Sequence, residues 1–304
     1  MATPQPAPSE RASRRTEDPN PTSDSRASRS AVPSTWAVAM TTQDSMRTLP
    51  ATLAPFAGLG ERRPRLVVVD SGSRDGTVAA CEAAGATVIH RAWAGHVAQK
   101  QFAIDQCAGA RWVLVLDSDE SPDAALLQAI LDAIERDNPL VAGYSLRRAL
   151  VLHDRLLPNT FQPEWRTRLV RPDQTKVAGT PPHDYLTVDG GVGRLPGILL
   201  HNSWADVDDM LRRHVGYAKV SAAGDTRGGG LLDILVRPGA AFFKQYLLRG
   251  AWRDGWRGLV AAGGAASSTL MKHLAIAERR GLAGESSSRP SDENRDRSGP
   301  TSPR

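Results

Sequence analysis

Residues 112–120 read WVLVLDSDE. Trp112, Val113, Leu114, Val115 and Leu116 form an apolar run with no helical period, as expected of a strand buried on both faces of a parallel sheet. The run stops at Asp117-Ser118-Asp119-Glu120. Ser121 and Pro122 then suggest a helix start, Ser as N-cap and Pro at the first helical position. Leu126, Leu127, Ile130, Leu131 and Ile134 give that helix one apolar face. The acids therefore stand at the C-terminal edge of a buried strand, where open α/β sheets bind ligands. Alternation would put Asp117 and Asp119 on the same side of an extended chain. Such a pair suits a hard divalent cation bridging a substrate's phosphates, although D-x-D alone also describes a charged loop that solubilises a strand end.

Upstream, strands and helices alternate. Trp36–Thr42 and Leu66–Val69 read as buried strands, with Asp44-Ser45 offered as a cap for the helix between them. Asp70 and the turn Ser71–Thr77 lead into a helix to Ala84, then a strand at 85–89 and a helix from Val97 to Cys107. This spacing argues for βαβ units and an α/β, Rossmann-like, mainly parallel sheet. Asp70 sits where such a sheet meets a nucleoside, or else it caps its own turn. Lys100 is placed to reach a diphosphate, or it is a solvated helix face.

The chain has 304 residues and a formal net charge of +5. Residues 1–34 carry five Arg against four acids among Pro, Ser and Thr, and are read as a disordered tail, as are residues 283–304. The modest basic excess fits a phosphate-bearing partner or an anionic membrane surface. It is no nucleic-acid signature. Cys81 and Cys107 lack C-x-x-C spacing and suggest reduced core thiols in a cytoplasmic protein. The first residues carry Arg but no apolar h-region, so a secretory signal is not expected, and no run of about 18 uncharged apolar residues occurs.

D-S-G-S-R-D-G-T at 70–77, followed by L-D-S-D-E at 116–120, resembles the inverting glycosyltransferases of family 2. Within them, the nearest resemblance is to the lipopolysaccharide core β-1,4-glucosyltransferase-like branch. Pro182-His183-Asp184 stands where that branch has V-H-E, and His201-Asn202-Ser203-Trp204 resembles its H-x-S-[YW]. The helical stretch Asp206–Ala222, with Tyr217-Ala218, matches the helix that comes next in that branch.

The resemblance implies a GT-A fold over residues 35–225, with a C-terminal helical extension over 226–282. It implies a metal-dependent enzyme that moves a sugar from a nucleotide-diphosphate sugar to a hydroxyl of a glycan or glycolipid, with inversion, in cell-envelope glycan biosynthesis. Donor contacts would come from Thr41, Asp44, Asp70, Ser71, Gly72, Lys100 and Asp117. Asp119 would hold Mg²⁺ or Mn²⁺, Asp184 would be the general base, and His183 would orient it; His201, just after Leu199-Leu200, either completes metal or diphosphate binding or caps a strand end. Thr42-Gln43-Asp44-Ser45 departs from the family's T-K-N-E, Gln101 replaces an Asn, and Asp184 replaces a Glu. A non-catalytic nucleotide-sugar-binding protein and an aspartate-nucleophile phosphatase are the competing readings.

Two regions stay open on their residues alone. Arg166 and Arg168 share a strand face and either meet phosphate or line a solvated edge. Beyond Leu231, aromatic and basic residues interleave (Trp252, Trp256; Arg237, Lys244, Arg249, Arg253, Arg257), which suits helices lying in the plane of an anionic membrane surface or helices packed on the catalytic domain.

Overall fold

The computed structural model describes residues 36–180, 183–224 and 228–287. Its elements are β1 (Trp36–Thr42), α1 (Leu49–Ala57), β2 (Arg65–Asp70), α2 (Thr77–Ala83), β3 (Thr87–His90), α3 (His96–Asp105), β4 (Trp112–Asp117), β5 (Glu120–Pro122) and α4 (Ala124–Arg136). There follow β6 (Val141–Leu152), β7 (Arg155–Leu156), β8 (Trp165–Val170), β9 (Thr175–Thr180), β10 (His183–Val188), β11 (Gly191–Arg194) and β12 (Leu199–His201). The chain continues through α5 (Val207–Gly224), α6 (Leu231–Leu235), α7 (Arg237–Phe243) and α8 (Gly255–Ser287).

The main sheet runs β3-β2-β1-β4-β8-β6-β12-β5. The first four strands are parallel, and β8 lies antiparallel to both of its neighbours. Because side chains alternate across a strand, the two faces build two cores. Val38, Met40, Val68, Leu114 and Leu116 pack with α1, α2 and α4 on one face. Ala37, Ala39, Val67, Val113 and Val115 pack on the other with α3 and the β9–β10 hairpin. Cys81 and Cys107 fall on opposite faces, so they cannot pair, and burial pushes both thiols up to about 11.

The start of α4 differs from the expectation. Ser121-Pro122 does not cap a helix: Glu120–Pro122 is a strand paired antiparallel with Leu199–His201. The N-cap is Asp123, whose carboxylate accepts from Leu126 N at 2.7 Å. The β11–β12 connection passes so close to this helix start that a Cβ at Gly197, φ +96°, would lie 2.3 Å from Leu126 N. Asp123→Ala is expected to lower stability by about 1 kcal/mol in denaturant melts, while Ser121→Ala leaves it nearly unchanged.

The helix proposed to follow Asp44-Ser45 begins later, at Leu49. Its cap residue Thr48 makes no side-chain cap bond, and the Ser45 carbonyl accepts from Thr48 N and Leu49 N instead. Residues 153–165 include the short strand β7. They are tied to the C-terminal extension by Asp254, whose carboxylate accepts from Asn159 N and Nδ2 and from Thr160 N and Oγ1 at 2.7–3.2 Å.

α8 lies along α5. It also carries helical backbone to Ser287, past the expected start of disorder at 283. The rest of the two expected tails falls outside the described residues. No described helix is long and apolar enough to cross a membrane.

Candidate active site

Parallel pairing sets Thr41 beside Asp117 and Thr42 beside Asp70, so the C-terminal ends of β2, β1 and β4 form one edge. Against that edge opens a cleft of about 950 Å³. Thr41, Lys100, Asp117, Asp119, Asp184 and His201 all line it. The basic residues Arg148, Arg166, Arg168, Arg213, Arg237 and Lys272 join them, so the lining is strongly cationic.

Asp117 is not a free ligand. Its Oδ1 takes the Lys100 ammonium at 2.6 Å and its Oδ2 the Arg168 guanidinium at 2.9 Å. Arg168 also grips Glu120 through Nε and Nη2, both at 2.9 Å. Arg148 extends the chain of charges, reaching Glu120 at 3.1 Å and Glu164 at 2.6 Å. Burial alone would raise the Asp117 pKa, but Lys100 and Arg168 outweigh it and hold the carboxyl well below the usual range. Glu120 is wholly buried and is likewise lowered: burial opposes ionisation, and Arg168 and Arg148 overcome it.

A buried ion network of this kind stabilises only while every member is paired. Depressed carboxylate pKa values make its contribution fully present above the unfolded values, about 4, and lose it as pH falls toward the folded ones. Glu120→Gln is therefore expected to cost about 3–5 kcal/mol near neutrality. The gap between wild type and variant should shrink in thermal melts as pH is lowered from 7 to 3.

The second chain of contacts concerns Asp184. It lies in strand β10, paired opposite Gly179 of β9. Its Oδ2 accepts from Lys100 Nζ at 2.7 Å, so one ammonium holds Asp184 and Asp117 together. Lys100 is thus no solvated helix face; its side chain is 5% exposed. Gln101, on the next position of α3, accepts from Val177 N at 2.9 Å and anchors the hairpin that carries Asp184. That gives the departure at Gln101 a structural role. The side chain of His183 lies outside what the structure describes, although its backbone opens β10.

Asp119 is differently placed. The chain turns after Asp117, so Asp119 does not continue the strand's alternation. Pairing of β12 with β5 brings His201 alongside, its Nε2 3.5 Å from Asp119 Oδ2, both side chains about one-fifth exposed. A carboxylate and an imidazole with open cleft before them suit a divalent cation that completes its shell with diphosphate and water. Among the described residues no group of three or more His, Cys, Asp or Glu could hold a metal unaided.

Asp70 forms its own turn, one of the two roles its position allowed. It is wholly buried, and its carboxylate accepts from Gly72 N, Ser73 N, Ser73 Oγ and Thr42 Oγ1 at 2.5–2.9 Å. Burial raises its pKa, and the Ser73 and Thr42 bonds more than offset that, leaving it lowered. Ser71, Gly72 and Asp44 also stand off the cleft lining. Ser71 Oγ accepts from Gln99 Nε2 at 3.0 Å, Gly72 supplies the turn's positive φ of +94°, and Asp44 caps Arg74 N at 2.7 Å. Ser45, where the family has an acid, receives the Ser118 hydroxyl at 2.8 Å and so steadies the acidic turn.

Other contributors carry no local motif. Arg47 holds the Asn202 and Ser203 carbonyls at 2.9 and 3.1 Å, fixing the chain just after His201. Trp93 stands 48% exposed at the cleft, edge-on to His96. Helix α5 adds Arg213, His214 and Tyr217; the Tyr217-Ala218 pair is the one sequence signal for it.

A mainly parallel α/β sheet with an acid-bearing, cation-lined cleft at its C-terminal edge is an arrangement suited to a phosphate-bearing ligand. The glycosyl transferase family 2 model matches residues 38–184, from β1 through Asp184. The protein is a glycosyltransferase, with its family 2 match at residues 38–184. It is 27% identical over 232 residues to the lipopolysaccharide core biosynthesis glycosyltransferase LpsC of Rhizobium meliloti (strain 1021), an overlap of 73% of this chain and 86% of that one. With an uncharacterized glycosyltransferase of Rickettsia felis it shares 28% over 211 residues, 64% of this chain and 74% of the relative. Among solved structures, the mannosyltransferase PcManGT from Pyrobaculum calidifontis, in complex with GDP-Man and Mn2+, aligns with a TM-score of 0.44 and 15% identity, covering 82% of this chain and 87% of that one. S. aureus TarS in complex with UDP-GlcNAc aligns with a TM-score of 0.42 and 14% identity, over 82% and 92%.

Proposed function

We propose that this enzyme transfers a sugar, with inversion, from a nucleotide-diphosphate sugar to a hydroxyl of a glycan or glycolipid acceptor of the cell envelope. Its place is the cytoplasmic side, peripheral to the membrane. The observation that carries the reading is the single cleft that brings together the Asp119–His201 pair and Asp184, with Lys100 joining Asp184 to Asp117.

Asp119 and His201 would hold a divalent cation, Mg²⁺ or Mn²⁺, whose chemistry would be to offset negative charge on a departing diphosphate. Thr41 and the cationic lining face the nucleotide, while Asp117, paired on both oxygens, works through Lys100 and Arg168 rather than as a ligand. Asp184 takes the proton of the acceptor hydroxyl, and Lys100 orients it. The lipopolysaccharide core role in the name of the R. meliloti relative supports an envelope acceptor.

The phosphatase reading is disfavoured by Asp117. An aspartate nucleophile needs an oxygen free to attack, and both of its oxygens are engaged by Lys100 and Arg168.

The test is product analysis. The purified chain is incubated with a panel of nucleotide sugars and envelope glycolipid extract, with Mn²⁺, Mg²⁺ or chelator. Cation-dependent release of nucleoside diphosphate and a product of inverted anomeric configuration are expected. Transfer undiminished in chelator would remove the cation from the reading, and a retained anomer would remove Asp184 as base.

A further inference from the structure

Ten of the 22 exposed large apolar side chains on the described surface fall between Leu231 and Leu259. Leu231, Leu232, Leu235 and Leu248 are each 67–76% exposed, and Trp252 and Trp256 are half exposed. Neither α6 nor α7 contributes one fully buried residue. These helices pack against α8, yet the α6 leucines stay mostly exposed. Soluble surfaces rarely keep so many large apolar groups together without a partner.

Charge narrows the choice of partner. Arg237, Lys244, Arg249, Arg253 and Arg257 punctuate the same stretch, against only Asp233 and Asp254. Asp254 is occupied by Asn159 and Thr160, and Asp233 by Arg237 at 2.5 Å. Arg253 and Arg257 lie over the rings of Trp252 and Trp256 at 5.1 and 4.5 Å, an apolar body with a cationic tip. A second copy meeting this face about a two-fold axis would bring like charges together. The chain segments outside the described residues hold only Met1 and Val32 as large apolar side chains, too little to cover it.

We propose that residues 231–259 dock on an anionic lipid bilayer, leucines and tryptophans entering the headgroup boundary while the basic side chains meet lipid phosphates. This goes beyond the transfer reaction and does not depend on it. Arg237, at the start of α7, also lines the cleft, so the docking segment adjoins the site where an acceptor enters. A lipid-anchored acceptor would reach the cleft without leaving the bilayer.

The test is co-sedimentation of the full chain with large unilamellar vesicles of phosphatidylcholine alone, or of phosphatidylcholine and phosphatidylglycerol in equal parts. Binding is expected chiefly to the anionic vesicles, weakening as salt is raised. The combined variant Leu232→Ser, Leu235→Ser, Leu248→Ser should lose about tenfold or more in partitioning. Its melting temperature should hold, because these side chains are exposed. Lys244→Glu with Arg249→Glu should lose about fivefold per charge on anionic vesicles and little on neutral ones. Three outcomes would overturn the proposal. They are no partitioning of the wild type onto any vesicle, leucine-variant binding equal to wild type, and a light-scattering dimer abolished by the leucine variant without vesicle binding.

Discussion

Asp119→Asn is expected to reduce cation-dependent sugar transfer by about a thousandfold or more. A bound metal supplies several kcal/mol of charge stabilisation, and each 1.36 kcal/mol is tenfold in rate. The substitution keeps the shape of the side chain and removes the anionic oxygen that faces His201 at 3.5 Å. The backbone bond from Asn202 N to the Asp119 carbonyl, 2.9 Å, is untouched, so the fold should survive. Donor affinity measured with Mn²⁺ should fall along with turnover, while the melting temperature stays near wild type. A variant that turns over normally in chelator would make the acid structural. Asp117→Asn separates the two roles: it strips a charge from Lys100 and Arg168, so its first symptom should be lost stability.

Asp184→Asn should bind nucleotide sugar normally and transfer slowly, by about 10²–10⁴-fold, the usual contribution of a positioned general base. Asparagine can still accept from Lys100, so the 2.7 Å contact that anchors the residue has a substitute and β10 should stay paired with β9. Asp184→Glu restores the residue usual in the resembled branch and should remain active. Single-turnover transfer beside donor affinity decides it. Unimpaired transfer by Asp184→Asn would shift the base to another group, and loss of donor binding would make Asp184 part of the donor site instead.

The central strands are legible in the sequence because their information is local. Trp112–Leu116, Leu66–Val69 and Trp36–Thr42 are apolar without a helical period, and that property belongs to the run itself. All three lie at the heart of the sheet, side chains sorted onto two faces by alternation. The same local reading fails at Ser121-Pro122. Its helix-start chemistry is sound, but Glu120–Pro122 is claimed by a strand at Leu199–His201, far along the chain. Asp184 cannot be assigned to a strand from its own residues for the same reason, since that strand is defined by pairing with β9.

What the sequence determined by itself was the α/β architecture, the position of the acidic edge and the family motifs. What only the tertiary structure decided was which acids are available. Asp70, Asp117, Asp119 and Glu120 look alike in a string of letters. Asp70 is consumed by its own turn, Asp117 and Glu120 by Arg168 and their other cations, and Asp119 stands beside the His201 imidazole in the cleft lining. The physical reason is that a carboxylate's chemistry is set by the donors and charges within a few ångströms. Those neighbours, Lys100, Arg148, Arg168 and His201, come from separate helices and strands that meet only when the sheet is assembled.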